Sequence, residues 1–150
     1  MTGRELEIAE RINAFKGIKA IVPYETRIRR SEGETSRYEH CYMPGYIFIW
    51  WHMSDTEYYE ICDLPGVICI LNKGSPKIIP PTQMELVIAL AEHGETHLPA
   101  PVAQSEGRTQ IIDGPLSKFT PDIIRVNWRD MRATIGVRIF SQMHKVTVSI

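Results

Sequence analysis

The stretch YMPGYIFIWW, residues 42–51, limits what this chain can fold into more than any other. A Pro-Gly corner leads into a run of large apolar and aromatic side chains. Side chains alternate along a strand, so Tyr46, Phe48 and Trp50 fall on one face while Ile47, Ile49 and Trp51 fall on the other. Both faces are apolar, and both need cover. A small sheet with helices packed against it supplies one cover; the second is either another layer of the same domain or another molecule.

Signals on either side of this strand support such a sheet. Thr2-Gly3-Arg4-Glu5, Ser54-Asp55-Thr56-Glu57 and Thr82-Gln83-Met84-Glu85 each have the form of a capping box, with a hydroxyl residue followed three positions later by Glu. Helical spacing of Ile8, Ile12 and Phe15 follows the first box, and Gly17 offers a stop. A short helix over roughly 55–63 follows the second and ends at Leu64-Pro65-Gly66. Met84, Val87, Ile88 and Ala91 line one face after the third, with an end near Gly94. Strands are predicted where Ile18, Ala20 and Val22 alternate, in the opening stretch, and at residues 67–71, closed by the turn Asn72-Lys73-Gly74. A long polar excursion occupies residues 25–41.

Residues 94–106, GETHLPAPVAQSE, lose all periodicity and carry two prolines, the composition of a semi-extended linker. Beyond it the helix signals vanish. Ile124, Val126 and Trp128 alternate, then Ala133, Ile135, Val137 and Ile139, then Val146, Val148 and Ile150. A set of strands this small buries its faces and protects its edges by closing into a barrel. The expected organisation is therefore α+β: an α/β sandwich over 1–93, a linker over 94–106 and a β-barrel over 107–150.

Charge and chemistry narrow the function. The 150 residues carry a net charge of −1, which argues against coating nucleic acid by bulk electrostatics. The two parts differ, with 10 Lys+Arg against 14 Asp+Glu in residues 1–98 and 7 against 4 in 99–150. No apolar run approaches the ~20 residues of a membrane-spanning helix. Three cysteines at irregular spacing, Cys41, Cys62 and Cys69, suit a reduced, cytoplasmic protein with Cys62 and Cys69 as buried thiols. His93 and His97 are four apart, but HGETH is not H-E-x-x-H and sits at a helix end. His40-Cys41 cannot act as base and nucleophile, because neighbours on a strand point opposite ways. No phosphate-binding glycine loop or nucleophile elbow occurs. A binding protein without cofactor or metal is expected. Arg27, Arg29, Arg30 and Arg37 form the densest basic cluster; it reads either as a solvated hairpin neutralised by Glu25, Glu32, Glu34 and Glu39, or as a basic tip that touches phosphates.

In order and spacing the chain resembles the NusG/RfaH family of transcription elongation factors. TGRELEIAERI, IVPYE, YMPGYIFIWW, LPGVICILNKGSPKIIP and TQMELVIAL follow that family's amino-terminal NGN domain over residues 2–92. GRTQIIDGPLSKF, IIRVNW, RATIGVRIF and KVTVSI are similar to its SH3-like KOW barrel. The family places a Trp-Tyr strand before the first helix, whereas this sequence opens on the helix, so the sheet is expected one strand short or the start upstream. Arg108 stands where an acidic residue is usual, and the glycine usual after Phe119 is absent.

The resemblance implies a monomeric factor that binds elongating RNA polymerase and modulates pausing or termination. It implies an apolar patch of Met43, Pro44, Gly45, Tyr46 and Phe48 open to solvent, gripping the polymerase clamp helices, with Ile47 and Ile49 in the core. Glu57 and Glu60 would face the opposite jaw of the cleft. Arg4 and Arg11 would face the non-template DNA, with Arg29 and Arg30 as further nucleic-acid contacts. The barrel would engage Rho or a ribosomal protein. The rival reading is a ribosome- or RNA-binding KOW module.

Overall fold

The computed structural model describes residues 3–31, 33–52, 54–71, 76–96, 98–105, 107–119 and 121–150. In chain order the first elements are α1 (Glu5–Asn13), β1 (Lys19–Ile21), β2 (Tyr24–Ser31), β3 (Glu34–Cys41), β4 (Phe48–Trp50), α2 (Asp55–Cys62) and α3 (Pro81–Thr96). There follow β5 (Val102–Ser105), β6 (Arg108–Ile111), a 3-10 turn (Ser117–Phe119), β7 (Ile123–Asn127), β8 (Arg132–Ile139) and β9 (Gln142–Ser149). They sort into two compact units, Met1–Val22 with Pro44–Ile78, and Pro23–Met43 with Ile79–Ile150.

In the first unit, α1 buries Ile8, Ala9 and Ile12, one face at helical spacing. Its N-cap is Arg4, without a side-chain cap; the box predicted from Thr2 lies outside the described residues. Asn13 pins the helix end to β1, its amide accepting from the Ala20 N–H at 2.7 Å and donating to the Ala20 carbonyl at 3.2 Å. A side chain thus takes both polar groups on that edge of β1 and blunts it against further pairing. On its other edge β1 pairs antiparallel with β4, Ala20 opposite Ile49. The box before α2 forms as expected: Ser54 Oγ accepts from the Glu57 N–H and donates to the Glu57 carboxylate at 2.7 Å.

The strand predicted at 67–71 is not formed; Ile68 is 85% exposed and Leu71 51%. An apolar run becomes a strand only when a neighbour takes its backbone N–H and C=O groups, and among the described residues β4 pairs with β1 alone. The turn predicted at 72–74 lies outside the described residues.

The second unit begins with the polar excursion, which is a regular hairpin. Strands β2 and β3 pair antiparallel over eight positions, from Tyr24 opposite Cys41 to Ser31 opposite Glu34. The helix α3 packs on β2 and β8. It begins at Pro81, one residue before the predicted box, because a proline has no N–H to leave unpaired in the first turn and its φ is already helical. Gly94 does not end it. The helix runs on to Thr96, and a Cβ on Gly94 would stand 1.7 Å from the Tyr24 carbonyl oxygen, so glycine here permits a close approach of α3 to β2.

Five short antiparallel strands complete this unit as a small barrel. The segment read as an aperiodic linker contributes the end of α3 and the whole of β5, which pairs with β6. Strands β7, β8 and β9 form a three-stranded sheet. Ala100 N–H donates to the Ser149 carbonyl at 2.9 Å, bringing the approach to β5 against the end of β9. The predicted alternation holds in β8 and at the end of the chain: Ala133, Ile135, Val137, Ile139, Val146, Val148 and Ile150 are all buried. Each such aliphatic side chain beyond Ala contributes ~1.5–3 kcal/mol by leaving water. In β7 the predicted set is split: Ile124 and Trp128 are about half exposed while Val126, opposite the buried Ala133, is half-buried, because a register shift between Ile123 and Arg125 turns the strand.

Candidate functional site

The Pro-Gly corner is built around Glu5. Its carboxylate is buried and accepts from the Gly3 N–H and the Gly45 N–H, each at 2.7 Å. Burial raises its pKa, but backbone amides at Glu5, Gly45 and Gly3 outweigh this and hold it below the usual carboxylate range. Gly45 has φ +86°, which glycine reaches without strain. Pro44 and Gly45 are exposed, and Tyr46 is half-buried.

The expectation that Met43 and Phe48 open to solvent is corrected. Met43 is 2% exposed and Phe48 4%, while Ile47 and Ile49, expected in the core, are half-buried. In β4 the exposed aromatic is Trp50. Period-two alternation states which residues share a face but not which face turns inward; β4 settles that by pairing with β1 and packing Phe48.

Glu57 is engaged within its own unit, accepting from Trp51 Nε1 at 2.8 Å and from Ser54 Oγ at 2.7 Å. These two bonds hold its carboxyl below the ordinary range. Glu60, one helical turn on, is exposed. On α1, Arg4 makes a two-toothed contact with Glu7 at 2.8 Å, and Arg11 reaches the same carboxylate at 2.6 Å. The two arginines expected to face DNA thus share one anion, and the trio carries +1 rather than +2.

The hairpin separates its arginines by role. Arg27 turns inward, contacting the Glu25 carboxylate with Nε and donating to the Thr147 carbonyl at 2.9 Å. Arg29, Arg30 and Arg37 are exposed and make no ion pair among the described residues.

A buried polar cluster at the hairpin base escaped the sequence. Glu25 accepts from Arg27, from Arg132 of β8 and from the Tyr42 hydroxyl at 3.1 Å. Burial pushes the Glu25 pKa up, but Arg27, Arg132 and Tyr42 together hold the carboxyl ionised, below its usual range. Burial first, then the neighbouring carboxylate, drive the Tyr42 pKa well up, so its hydroxyl remains a donor. His93 stacks on Tyr42 with centroids 6.4 Å apart and lies 3.5 Å from Ser149 Oγ. It is a packed core residue; His97 lies outside the described residues. Its only trace in the sequence is an acid two residues from an arginine, a pattern shared by solvated strands, and Arg132 is 107 residues away.

Cys62 is half-buried and Cys69 is exposed, which corrects the expectation of two buried thiols. Cys69 lies in the run that formed no strand. Among the described residues no group of three or more His, Cys, Asp or Glu could hold a metal ion, and no helix is long and apolar enough to cross a membrane.

Glu5, Glu7, Glu25, Glu57 and His93 are tied into packing or pairing, whereas Glu60 is exposed and Arg29, Arg30 and Arg37 lie on an exposed hairpin. The fold is thus a small α/β unit and a unit bearing a small barrel. A family model described as transcription termination factor nusG matches residues 1–88. The chain therefore belongs to the NusG family, a family of transcription factors rather than enzymes. The transcription termination/antitermination protein NusG of Pseudomonas aeruginosa is 24% identical over 125 residues, covering 81% of this chain and 71% of that protein. Its counterpart in Buchnera aphidicola is 23% identical over 127 residues, covering 83% and 70%. A solved structure titled "Domain interaction in Thermotoga maritima NusG" matches with TM-score 0.64 at 21% identity, over 99% of this chain and 89% of that one; at this identity the likeness concerns the fold alone.

Proposed function

We propose that the chain binds elongating RNA polymerase and modulates pausing or termination. The family match over residues 1–88 carries this reading, and the relatives' names as termination/antitermination proteins support it. The mechanism is differential binding: a factor that bridges two sides of the polymerase cleft disfavours the open clamp without chemistry. The grip on the clamp helices is assigned to the corner Pro44-Gly45-Tyr46, seated by Glu5, with Pro44 and Gly45 exposed and Tyr46 half-buried. Glu60, exposed in the last turn of α2, is an acid available to the opposite jaw. Arg29 and Arg30 are the exposed hairpin cations for the non-template strand, and the barrel is the part available to Rho or a ribosomal protein.

A tagged full-length chain used as bait in a bacterial lysate tests this. Polymerase subunits in the eluate, lost with Tyr46→Ala, support the reading. Ribosomal RNA without polymerase overturns it in favour of an RNA-binding module.

A further inference from the structure

The turn between β7 and β8 is ordered by its own side chains and yet carries apolar surface into solvent. Asn127 Oδ1 accepts from the Arg129 and Asp130 N–H groups at 3.2 and 3.3 Å, and its amide donates to the Asp130 carboxylate at 2.8 Å. Met131 sits at φ +50°, a left-handed backbone that strains a residue with a side chain, and its carbonyl accepts from the Ile150 N–H at 3.0 Å. The turn so fixed presents Trp128, 49% exposed, and Met131, 51% exposed. Arg129 at the tip and Arg125 on β7 are exposed and make no ion pair among the described residues. Trp, Met and Arg are side chains that protein interfaces concentrate, and a turn already ordered loses little freedom on binding.

The same unit carries a complementary receptor. A cavity of about 270 Å³ opens between α3 and the 3-10 turn. Ile88, Ala89, Pro115 and Phe119 give it apolar walls, while Glu85 and Glu92 stand exposed on α3, with Lys118 as the single cation of the lining. The volume falls below that of drug-sized ligand pockets and suits one large side chain. Phe119 precedes β7 and Trp128 follows it, so the strand's five residues, about 17 Å long, keep a chain's own tip out of its own cavity. We infer that the chain self-associates head to tail, Trp128 of one copy entering the α3 cavity of the next while Arg129 meets Glu85 and Glu92. Charge selects this occupant: the tip brings Arg125 and Arg129 beside an Asp130 already engaged by Asn127, and the cavity brings two carboxylates against one ammonium. Because the two patches differ, each copy in a dimer leaves a tip or a cavity free, and association continues unless a ring closes. One turn in one cavity is a small contact, at the weak end of protein interfaces. The inference does not rest on the polymerase reading.

Sedimentation equilibrium of the full-length chain, from micromolar to millimolar concentration, tests this. The weight-average mass is expected to rise above that of one chain as concentration increases. Trp128→Ala and Glu92→Arg, both at exposed positions, are each expected to hold the chain monomeric over that range, a loss of about thirtyfold or more in affinity, with melting temperatures near wild type. Mixed in equal amounts, the two variants are expected to form dimers, because the Glu92→Arg copy keeps its tip and the Trp128→Ala copy keeps its cavity. Ile28→Ala, exposed on the β2–β3 hairpin, controls for general apolar adhesion and is expected to associate as wild type does. A chain that stays monomeric throughout overturns the inference. So does association that survives either variant or falls equally with Ile28→Ala, and so does a mixture no heavier than its components.

Discussion

A Cβ placed on Gly94 of α3 would lie 1.7 Å from the carbonyl oxygen of Tyr24 on β2, the backbone of a helix against the backbone of a strand. No rotamer relieves that overlap, because both partners are main chain. Gly94→Ala is therefore expected to push α3 off the hairpin base and cost ~3 kcal/mol or more, the upper end for overpacking. Gly114→Ala is the control: its Cβ meets nothing within 4 Å, but its φ is +84°, so only backbone strain of ~1–2 kcal/mol is expected. Urea unfolding of the two variants should rank them in that order.

Phe48 and Tyr46 sit two residues apart and should respond oppositely to truncation. Phe48→Ala removes a buried ring and is expected to cost ~3–5 kcal/mol of stability. Tyr46→Ala, half-buried, should melt closer to wild type and lose polymerase by ~2 kcal/mol, about thirtyfold in affinity. Thermal melting and polymerase affinity, measured side by side, would expose a reversed pattern at once.

The Glu25 cluster predicts acid sensitivity with a defined sign. Its folded-state pKa is depressed, so its contribution is fully present above the unfolded carboxylate value of 4.5 and is lost as pH falls through the folded value. Glu25→Gln leaves Arg27 and Arg132 without their anion in a partly buried site and is expected to cost ~3–5 kcal/mol at neutral pH. It should also flatten the stability curve below pH 4.5. Glu25→Gln with Arg132→Met should recover part of the loss, and a double-mutant cycle measures how much.

His93 acts at higher pH. Burial lowers its pKa below 6.5, so the unfolded chain takes up a proton more readily than the folded one. Stability is then complete above pH 6.5 and falls as pH drops below it towards the folded value. His40 is lowered as well, by burial and then by Arg27, and adds to the same slope. His93→Gln should remove one proton's share of that slope between neutral pH and the carboxylate range, read from melting temperature in a pH series. An unchanged slope would show that the ring is not held neutral by the fold.

Sequence by itself determined what depends on neighbours along the chain. The Ser54–Glu57 box, the amphipathic spacing of Ile8 and Ile12, and the alternation of Ala133, Ile135, Val137 and Ile139 are local patterns, and the structure forms each of them. The order of motifs over residues 2–92 likewise sufficed for the family. Only the tertiary structure decided questions of orientation and partnership. Whether Phe48 or Ile47 faces inward, whether residues 67–71 find a strand to pair with, and whether Gly94 ends a helix or admits a neighbour all turn on what lies opposite. The same holds for charge: Arg27 and Arg29 are two residues apart on one strand, yet one is fixed by Glu25 and the Thr147 carbonyl and the other is left to solvent. Local periodicity specifies which side chains act together, but burial and pairing are properties of surfaces brought together from as far as 120 residues apart, and no short-range pattern encodes them.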